Sequence, residues 1–108
     1  MRKVEMQMNT AIRYRRNWAG SNTMVRVSRE VIEVFLHGNH IATYNYADKE
    51  LALFDGGWQS NTTKSRLNAL CYEFATGYRV FQKNWDWFVA DFHGNRQDFA
   101  DGFELAIS

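Results

Sequence analysis

The sequence predicts a single α+β domain over residues 1–108, in which one helix packs on one face of an antiparallel sheet. Apolar and polar residues alternate in short runs on both sides of one stretch that has helical periodicity. Strands grouped around one helix indicate an antiparallel sheet and not a parallel βαβ fold. Hydrophobic residues make up 45% and aromatic residues 16% of the chain, which is enough for a packed core and excludes global disorder.

The first half of the chain predicts a β-meander. Val25 and Val27 alternate with polar neighbours, and the run that starts at Val31 alternates in the same way, as half-buried strands do. Gly38-Asn39 suits a two-residue hairpin turn. The predicted strands, the first of which is alternatively an extended arm, are residues 10–18, 25–27, 31–37, 40–46 and 51–54.

One helix is predicted over residues 61–76. Its apolar residues recur at the i, i+3, i+4 and i+7 spacing of a buried helix face, and Gly77 is a natural residue to end it. Asn61, Thr62 or Thr63 supplies the N-terminal cap. The predicted core face consists of Leu67, Leu70, Cys71 and Phe74.

The last third of the chain predicts a hairpin formed by residues 78–82 and 87–92. The stretch that contains Phe99, Phe103 and Leu105 adds a strand or packs as a tail. The chain is accordingly divided into a basic N-terminal arm or strand, a core and an acidic C-terminal segment, at residues 1–21, 22–92 and 93–108.

Charge is distributed unevenly along the chain, although the formal net charge is only +1. Residues 1–29 have a balance of +6, residues 30–83 of −1 and residues 84–108 of −4. Two interpretations are open. Either the two ends lie side by side and neutralise each other, or the protein has a basic face for phosphate and an acidic edge for a protein partner.

A basic and aromatic segment near the N-terminus is the first candidate for a nucleic-acid contact. Alternation along a strand would put Arg13 and Arg15 on one face and the other side chains nearer the opposite face. Cations that follow a phosphate backbone and rings that stack on bases are typical of proteins that bind single strands. The candidate residues are Arg13, Tyr14, Arg15, Arg16 and Trp18.

The start of the predicted helix is the second candidate. Lys64 and Arg66 stand there among hydroxyl residues, beside the free backbone N–H groups of a helix N-terminus, and such a group can bind phosphate. The alternative is that the threonines only cap the helix and that water solvates both cations. In either case we expect Lys64 and Arg66 to be exposed.

Two tryptophans near the end of the predicted hairpin are the candidate protein-binding site. Trp85 and Trp87 are two residues apart, so an extended strand projects both to the same side. Phe88 and Phe92 then face the core. Either the C-terminal tail folds over both indoles through Phe99 and the residues after it, or the indoles form the centre of a partner surface.

No residue pattern predicts catalysis, a cofactor or a metal centre. Cys71 is the only cysteine, and it lies on the apolar helix face, where a free cysteine is a small hydrophobe. His37 and His40 bracket the predicted Gly38-Asn39 turn and would face each other across it, but no carboxylate or thiolate stands at a familiar ligand spacing. We therefore expect a non-enzymatic protein without a cofactor.

Four motifs in the middle of the chain resemble a group of small bacteriophage and prophage proteins. They are LHGNHIA, LAL, GGWQSNTTKSRLNAL and VFQKNWDWFV, all within residues 22–90. The group has a meander that ends in Gly-Trp, a Thr-Thr-Lys-x-Arg-Leu-Asn helix and a Tyr/Phe-Gln-Lys…Trp strand pair. The resemblance implies a phage origin and the cytoplasm of a bacterial host, and it assigns no functional residues.

Two functional hypotheses follow for such a protein. The first is a nucleic-acid-binding accessory module that uses residues 13–18 and 62–66. The second is a protein-binding inhibitor of a host enzyme or defence complex, similar in role to an anti-CRISPR, that uses exposed aromatic residues and the acidic segment. The expected partner is thus nucleic acid, a host protein or a nucleoprotein complex, and not a membrane, because no apolar stretch has the length of a membrane span.

Overall fold

The computed structural model describes all 108 residues, which form two helices and nine strands. Neither helix combines the length and the apolar character that crossing a membrane requires. The helices are α1 (Lys3–Arg13) and α2 (Asn61–Phe74). The strands are β1 (Trp18–Gly20), β2 (Thr23–Val27), β3 (Val31–Leu36), β4 (Asn39–Asn45), β5 (Glu50–Leu53), β6 (Arg79–Lys83), β7 (Asp86–Ala90), β8 (Arg96–Asp98) and β9 (Phe103–Ala106).

The strands form two antiparallel sheets. The large sheet has six strands in the order β1-β2-β3-β4-β5-β9, and the small sheet has three in the order β6-β7-β8. The predicted α+β class with a meander, a helix and a hairpin is therefore confirmed. The sheet order also places the N-terminal strand and the C-terminal strand at opposite edges of the large sheet.

A two-residue turn connects β3 and β4. His37 and Gly38 have φ of 51° and 79°, and two successive left-handed residues match the twist of the strands that they join. The predicted Gly38-Asn39 turn is wrong by one residue, because Asn39 already pairs with Leu36 in the ladder.

Helix α1 occupies residues for which the sequence predicts a strand or an arm. The predicted strand over residues 10–18 is wrong as far as Arg13, and of this segment only Trp18 belongs to a strand. The helix is stable here because Met8, Ala11 and Ile12 share one face and are buried in the core. The single predicted helix is thus joined by a second, and the two helices contact each other.

Helix α2 packs as its periodicity predicts, but a different residue caps it. The N-cap is Ser60, whose Oγ accepts a hydrogen bond from the Thr63 amide at 3.0 Å, so the prediction that residue 61, 62 or 63 is the cap is wrong. Leu67, Leu70 and Cys71 are fully buried, as predicted.

Replacing Leu70 with alanine is expected to lower the free energy of unfolding by about 2–5 kcal/mol, because the side chain is 0% exposed and its removal leaves a cavity. Urea denaturation followed by circular dichroism measures the loss. Tyr72→Ala is the matched control on the same helix, since Tyr72 is 74% exposed and its truncation should change stability by less than about 0.5 kcal/mol. A Leu70→Ala loss as small as the control would contradict the assigned core face.

The small sheet docks on α2. Asn68 Nδ2 donates to the Val80 carbonyl at 2.8 Å, and Asn68 Oδ1 accepts from the Val80 amide at 2.7 Å. The predicted hairpin is confirmed, and it turns at Asn84-Trp85, where φ is 51° and 70°. The predicted C-terminal strand is also present, as β9 beside β5, and its Leu105 is buried.

Candidate nucleic-acid interface

The predicted basic and aromatic segment does not form one face in the structure. Arg13, at the end of α1, pairs with Glu73 and lies 5.6 Å from the centre of the Phe74 ring. Arg15 has φ of 54°, and its guanidinium lies 4.0 Å from the centre of the Tyr46 ring. These two arginines therefore contact the protein's own side chains, and the prediction that they share a strand face is wrong because the chain is helical up to Arg13.

Arg16 and Trp18 lie at the edge of the large sheet. The Arg16 guanidinium is 5.7 Å from the ring of Tyr14, which is itself 64% exposed. Trp18 is half-buried in the edge strand β1, and its indole lies against Gly20, where a Cβ would come within 2.8 Å of the indole Cζ2. Gly20 thus gives the indole room to lie along the strand.

A groove of about 570 Å³ runs between α1 and β1, and we call it the α1–β1 groove. Its lining contains two cationic side chains, one indole and no carboxylate. Beyond Trp18 it continues into a second depression of about 360 Å³, whose only charged side chain is Arg26. The α1–β1 groove is lined by Lys3, Met6, Gln7, Thr10, Ala11, Arg16, Asn17 and Trp18.

The positive charge of this edge is not cancelled by the acidic C-terminal segment. The ion pairs in the structure are Arg13–Glu73 and Glu5–Arg66, and His40 lies 3.9 Å from Glu33; none of these contacts joins residues 1–29 to residues 84–108. The interpretation in which the two ends neutralise each other is therefore not the arrangement found.

Acidic side chains gather at the opposite edge of the large sheet. The neighbouring Glu104 in β9 raises the pKa of Glu50 in β5, because its carboxyl favours the protonated form of Glu50 as a hydrogen-bond donor and its charge disfavours ionisation; the charge of Asp48 acts in the same direction. Because β1 and β9 are the two edge strands, the basic and acidic regions are separated by the width of the sheet.

Arg66 is buried and not exposed, so the expectation that it faces solvent is wrong. Its side chain is 4% exposed, and its Nη1 donates to Glu5 Oε2 at 2.9 Å while its Nε donates to Thr23 Oγ1 at 3.0 Å. Ser65 Oγ donates to the same Glu5 oxygen at 2.6 Å. This network joins α1, α2 and β2, and it removes Arg66 from any phosphate contact.

The helix start therefore retains one of its two predicted cations. Lys64 is half-buried in the first turn of α2, so the expectation that it is exposed is also wrong. The cleft beside this turn, about 320 Å³ in volume, is lined in part by Asp55, Ser60 and Thr63, and the Asp55 carboxylate opposes phosphate binding there.

Glu5 is the functional residue of this network that sequence reasoning missed. Burial raises the pKa of Glu5, but hydrogen bonds from Ser65, Arg66 and the Arg2 amide outweigh it and hold the pKa below the ordinary carboxyl value. The sequence contains a signal for the burial of Glu5, because Glu5, Met8 and Ile12 stand at i, i+3 and i+7, the spacing of a buried helix face.

The two candidate tryptophans lie in different environments. Trp85 is 87% exposed in the hairpin turn, whereas Trp87 is 4% exposed on the inner face of β7. The expected same-side pair is wrong because the left-handed φ of Trp85 takes it out of the strand alternation. Phe99 lies edge-on to Trp87 at 5.5 Å, so the tail covers one of the two indoles.

The expected core positions of two phenylalanines are also wrong. Phe92 is 71% exposed, and Phe88 points away from the core, since its neighbours Trp87 and Val89 occupy the inner face of β7.

No group of three or more His, Cys, Asp or Glu side chains is placed to hold a metal ion. His37 lies in the turn, whereas His40 packs between Phe35 and Phe54, so the two imidazoles do not form a cross-strand pair. Burial raises the pKa of the Cys71 thiol to about 12, which keeps it protonated and unreactive.

The model of one protein family, described as the Kyanoviridae Gp96 protein, matches residues 1–106. No curated protein and no solved structure matches the chain. The family match extends over the basic N-terminal residues and the acidic C-terminal segment, both of which lie outside the motifs within residues 22–90.

Proposed function

We propose that this chain, which belongs to the Kyanoviridae Gp96 protein family and is therefore a small phage protein, is a non-enzymatic module that binds single-stranded nucleic acid. The observation that carries the proposal is the α1–β1 groove, whose lining contains Lys3, Arg16 and Trp18 and no carboxylate.

The groove offers the two contacts that a single strand requires. Lys3 on α1 and Arg16 after α1 both line the groove and are available for phosphates, since neither is engaged in an ion pair. Trp18 on the same lining supplies a ring on which an unstacked base can lie, and every base has a face that can stack in this way. Binding of this kind tolerates many sequences.

A single strand fits this site better than a duplex does. The rings of a duplex are stacked on each other and unavailable to an indole in a groove, whereas an unpaired base can rotate outward. The helix that lines the groove also keeps its opposite face in the core, where Met8 and Ile12 are buried, and it does not project as a recognition helix does.

Lys3→Gln combined with Arg16→Gln is expected to reduce the salt dependence of binding. Each phosphate contact with a single strand contributes about 0.7 to the slope of log K against log salt, so the slope should fall by about 1.4. Trp18→Leu, which keeps an apolar side chain over Gly20, should weaken binding by about 1–3 kcal/mol through the loss of stacking.

Fluorescence anisotropy with a labelled thymidine oligomer and a duplex of equal length, each at two salt concentrations, measures both effects. Arg29→Gln combined with Lys49→Gln is the control, because it removes the same charge from two exposed turns outside the groove. Equal affinities for the groove variants and the control would contradict the assigned site, and absence of salt-dependent binding by the unchanged protein would contradict the function.

A second candidate function is the protein-binding inhibitor. The observation that favours it is Trp85, which is 87% exposed at the tip of the β6–β7 hairpin, next to the exposed Asp86. Exposed tryptophans at such positions often dominate protein interfaces. If this candidate is correct, the unchanged chain captures one host protein and the Trp85→Ser variant does not. Trp58→Ser, which alters another exposed tryptophan, is the control and should still capture that protein.

A further inference from the structure

The outer face of the small sheet carries a pair of stacked aromatic rings. Phe81 in β6 and Phe88 in β7 are directly paired across the strands. Their ring centres are 5.5 Å apart and their planes differ by 28°, the geometry of a stacked pair. Both side chains point away from Trp87 and Val80, which occupy the inner face in the core.

Two arginines lie over these rings. The Arg79 guanidinium is 4.9 Å from the centre of Phe81, and the Arg96 guanidinium is 4.9 Å from the centre of Phe88. In the register of the sheet both arginines stand opposite Ala90, so they flank one small residue on the central strand. Neither arginine forms an ion pair.

We infer that this face, defined by Arg79, Phe81, Phe88 and Arg96 and called the small-sheet platform, is a second contact surface for single-stranded nucleic acid. The inference rests on the proposed function, from which it takes single-stranded nucleic acid as the ligand. Its location rests on the platform residues alone, none of which lines the α1–β1 groove. It assigns to the platform the stacking of bases and the binding of the phosphates between them.

The chemistry of the platform suits bases and phosphates together. A guanidinium held over a ring keeps its charge and its N–H donors while its orientation is restricted, so it loses little freedom when it binds phosphate. A base can stack on a planar guanidinium or on an aromatic ring, as it does on exposed sheet aromatics in RNA-binding domains.

Charge along the face favours an anion at one end. The row of Arg79 and Arg96 beside Ala90 contains only cations, whereas Asp98 stands opposite Phe88 and Asp86 opposite Lys83, nearer the hairpin tip. Asp98 thus stands in the same row as the two rings, so we expect the phosphates at the arginine row and only the uncharged bases over the rings. An acidic peptide would bind the guanidiniums but would not stack on the ring pair. Loss of the rings should therefore weaken the binding of nucleic acid and leave the binding of an acidic peptide nearly unchanged.

The test compares a thymidine oligomer with an abasic oligomer of the same length. Phe81→Leu combined with Phe88→Leu removes the rings and keeps apolar side chains, whereas Arg79→Gln combined with Arg96→Gln removes the cations. The matched controls are Phe35→Leu with Phe54→Leu, a second half-buried pair, and Arg29→Gln with Lys49→Gln. Thermal melts establish that each variant is folded.

We expect the phenylalanine variant to bind the thymidine oligomer about fivefold to one-hundredfold more weakly, and to lose much less affinity for the abasic oligomer, because both arginines remain and lose only the rings that orient them. The arginine variant should lose affinity for both oligomers, and the controls should lose none.

If the unchanged protein binds and both platform variants bind like their controls, the platform is overturned while the α1–β1 groove stands. If an acidic peptide competes with the abasic oligomer, and the phenylalanine variant binds the thymidine oligomer as tightly as the unchanged protein does, the platform is a protein-binding site and the inference is overturned. If the unchanged protein binds no oligomer, the proposed function fails together with this inference. If the phenylalanine variant is unfolded, the affinity of the arginine variant relative to its Arg29→Gln/Lys49→Gln control decides whether the platform binds the oligomer.

Discussion

Glu5→Ala is expected to lower the free energy of unfolding by about 3–5 kcal/mol. The substitution leaves the Arg66 guanidinium, which is 4% exposed, without a counter-charge inside the protein. It also leaves Ser65 Oγ and Arg66 Nη1 without the oxygen that they share, Glu5 Oε2. Arg66→Ala should have a similar effect, because an unpaired buried carboxylate then remains.

Replacing both partners is the control that separates lost pairing from lost packing. Glu5→Leu combined with Arg66→Met fills the space with apolar atoms and leaves no unpaired charge, so it should be more stable than either single variant. Urea denaturation of the unchanged protein, Glu5→Leu, Arg66→Met and the double variant closes the cycle and gives the coupling energy. Single variants that lose less than about 1 kcal/mol would show that the network contributes little.

The same network predicts a pH dependence. The pKa of Glu5 is lower in the folded protein than its ordinary value of 4.5, because the hydrogen bonds from Ser65, Arg66 and Arg2 outweigh the effect of burial. The resulting stabilisation is fully present above the unfolded pKa and is lost as the pH falls through the folded pKa. The stability difference between the unchanged protein and Glu5→Gln should therefore shrink as the solution becomes acidic below that value.

Truncation after Gly94 is expected to unfold the protein or cause it to aggregate. It removes β8 and β9, together with Phe99, which covers Trp87, and Leu105, which is 3% exposed. It also uncovers β5, which then becomes an unprotected sheet edge. The amide of Ser108, which donates to the Phe74 carbonyl at the end of α2 at 2.9 Å, is lost as well.

Circular dichroism and tryptophan fluorescence measure the result. Truncation after Ala106, which removes only Ile107 and Ser108, is the milder control and should remain folded because β9 is intact. A protein that ends at Gly94 and remains folded and monomeric, with unchanged tryptophan fluorescence, would contradict the role of the tail in covering the core.

Much of the fold could be predicted from local sequence signals. The alternation around Val25 and Val31 and the i, i+3, i+4, i+7 pattern from Leu67 specify the meander and α2 because a single periodicity dominates each segment. Local signals do not predict helix α1, since Tyr14 and Trp18 favour strands and the short helical pattern of Met8 and Ile12 has basic residues on both sides.

The site was harder to predict because it depends on contacts between distant residues. Arg66 has the sequence surroundings of an exposed helix start, and its burial becomes evident only when Glu5, 61 positions away, is placed beside it. The α1–β1 groove likewise needs α1 to fold back beside Trp18. The inward position of Trp87 follows from the turn at Asn84-Trp85, which local alternation does not reveal.

Titration of the labelled protein with a thymidine oligomer, followed by nuclear magnetic resonance, tests the central claim most directly. The chain has four tryptophans, so each indole N–H gives a resolvable reporter. We predict that the Trp18 indole and the Arg16 guanidinium N–H shift together with the Lys3 amide as the oligomer is added, and that high salt reverses the shifts. Shifts confined to Trp85 and Trp58, or none at a saturating concentration of oligomer, would contradict the assignment of the α1–β1 groove as the nucleic-acid site.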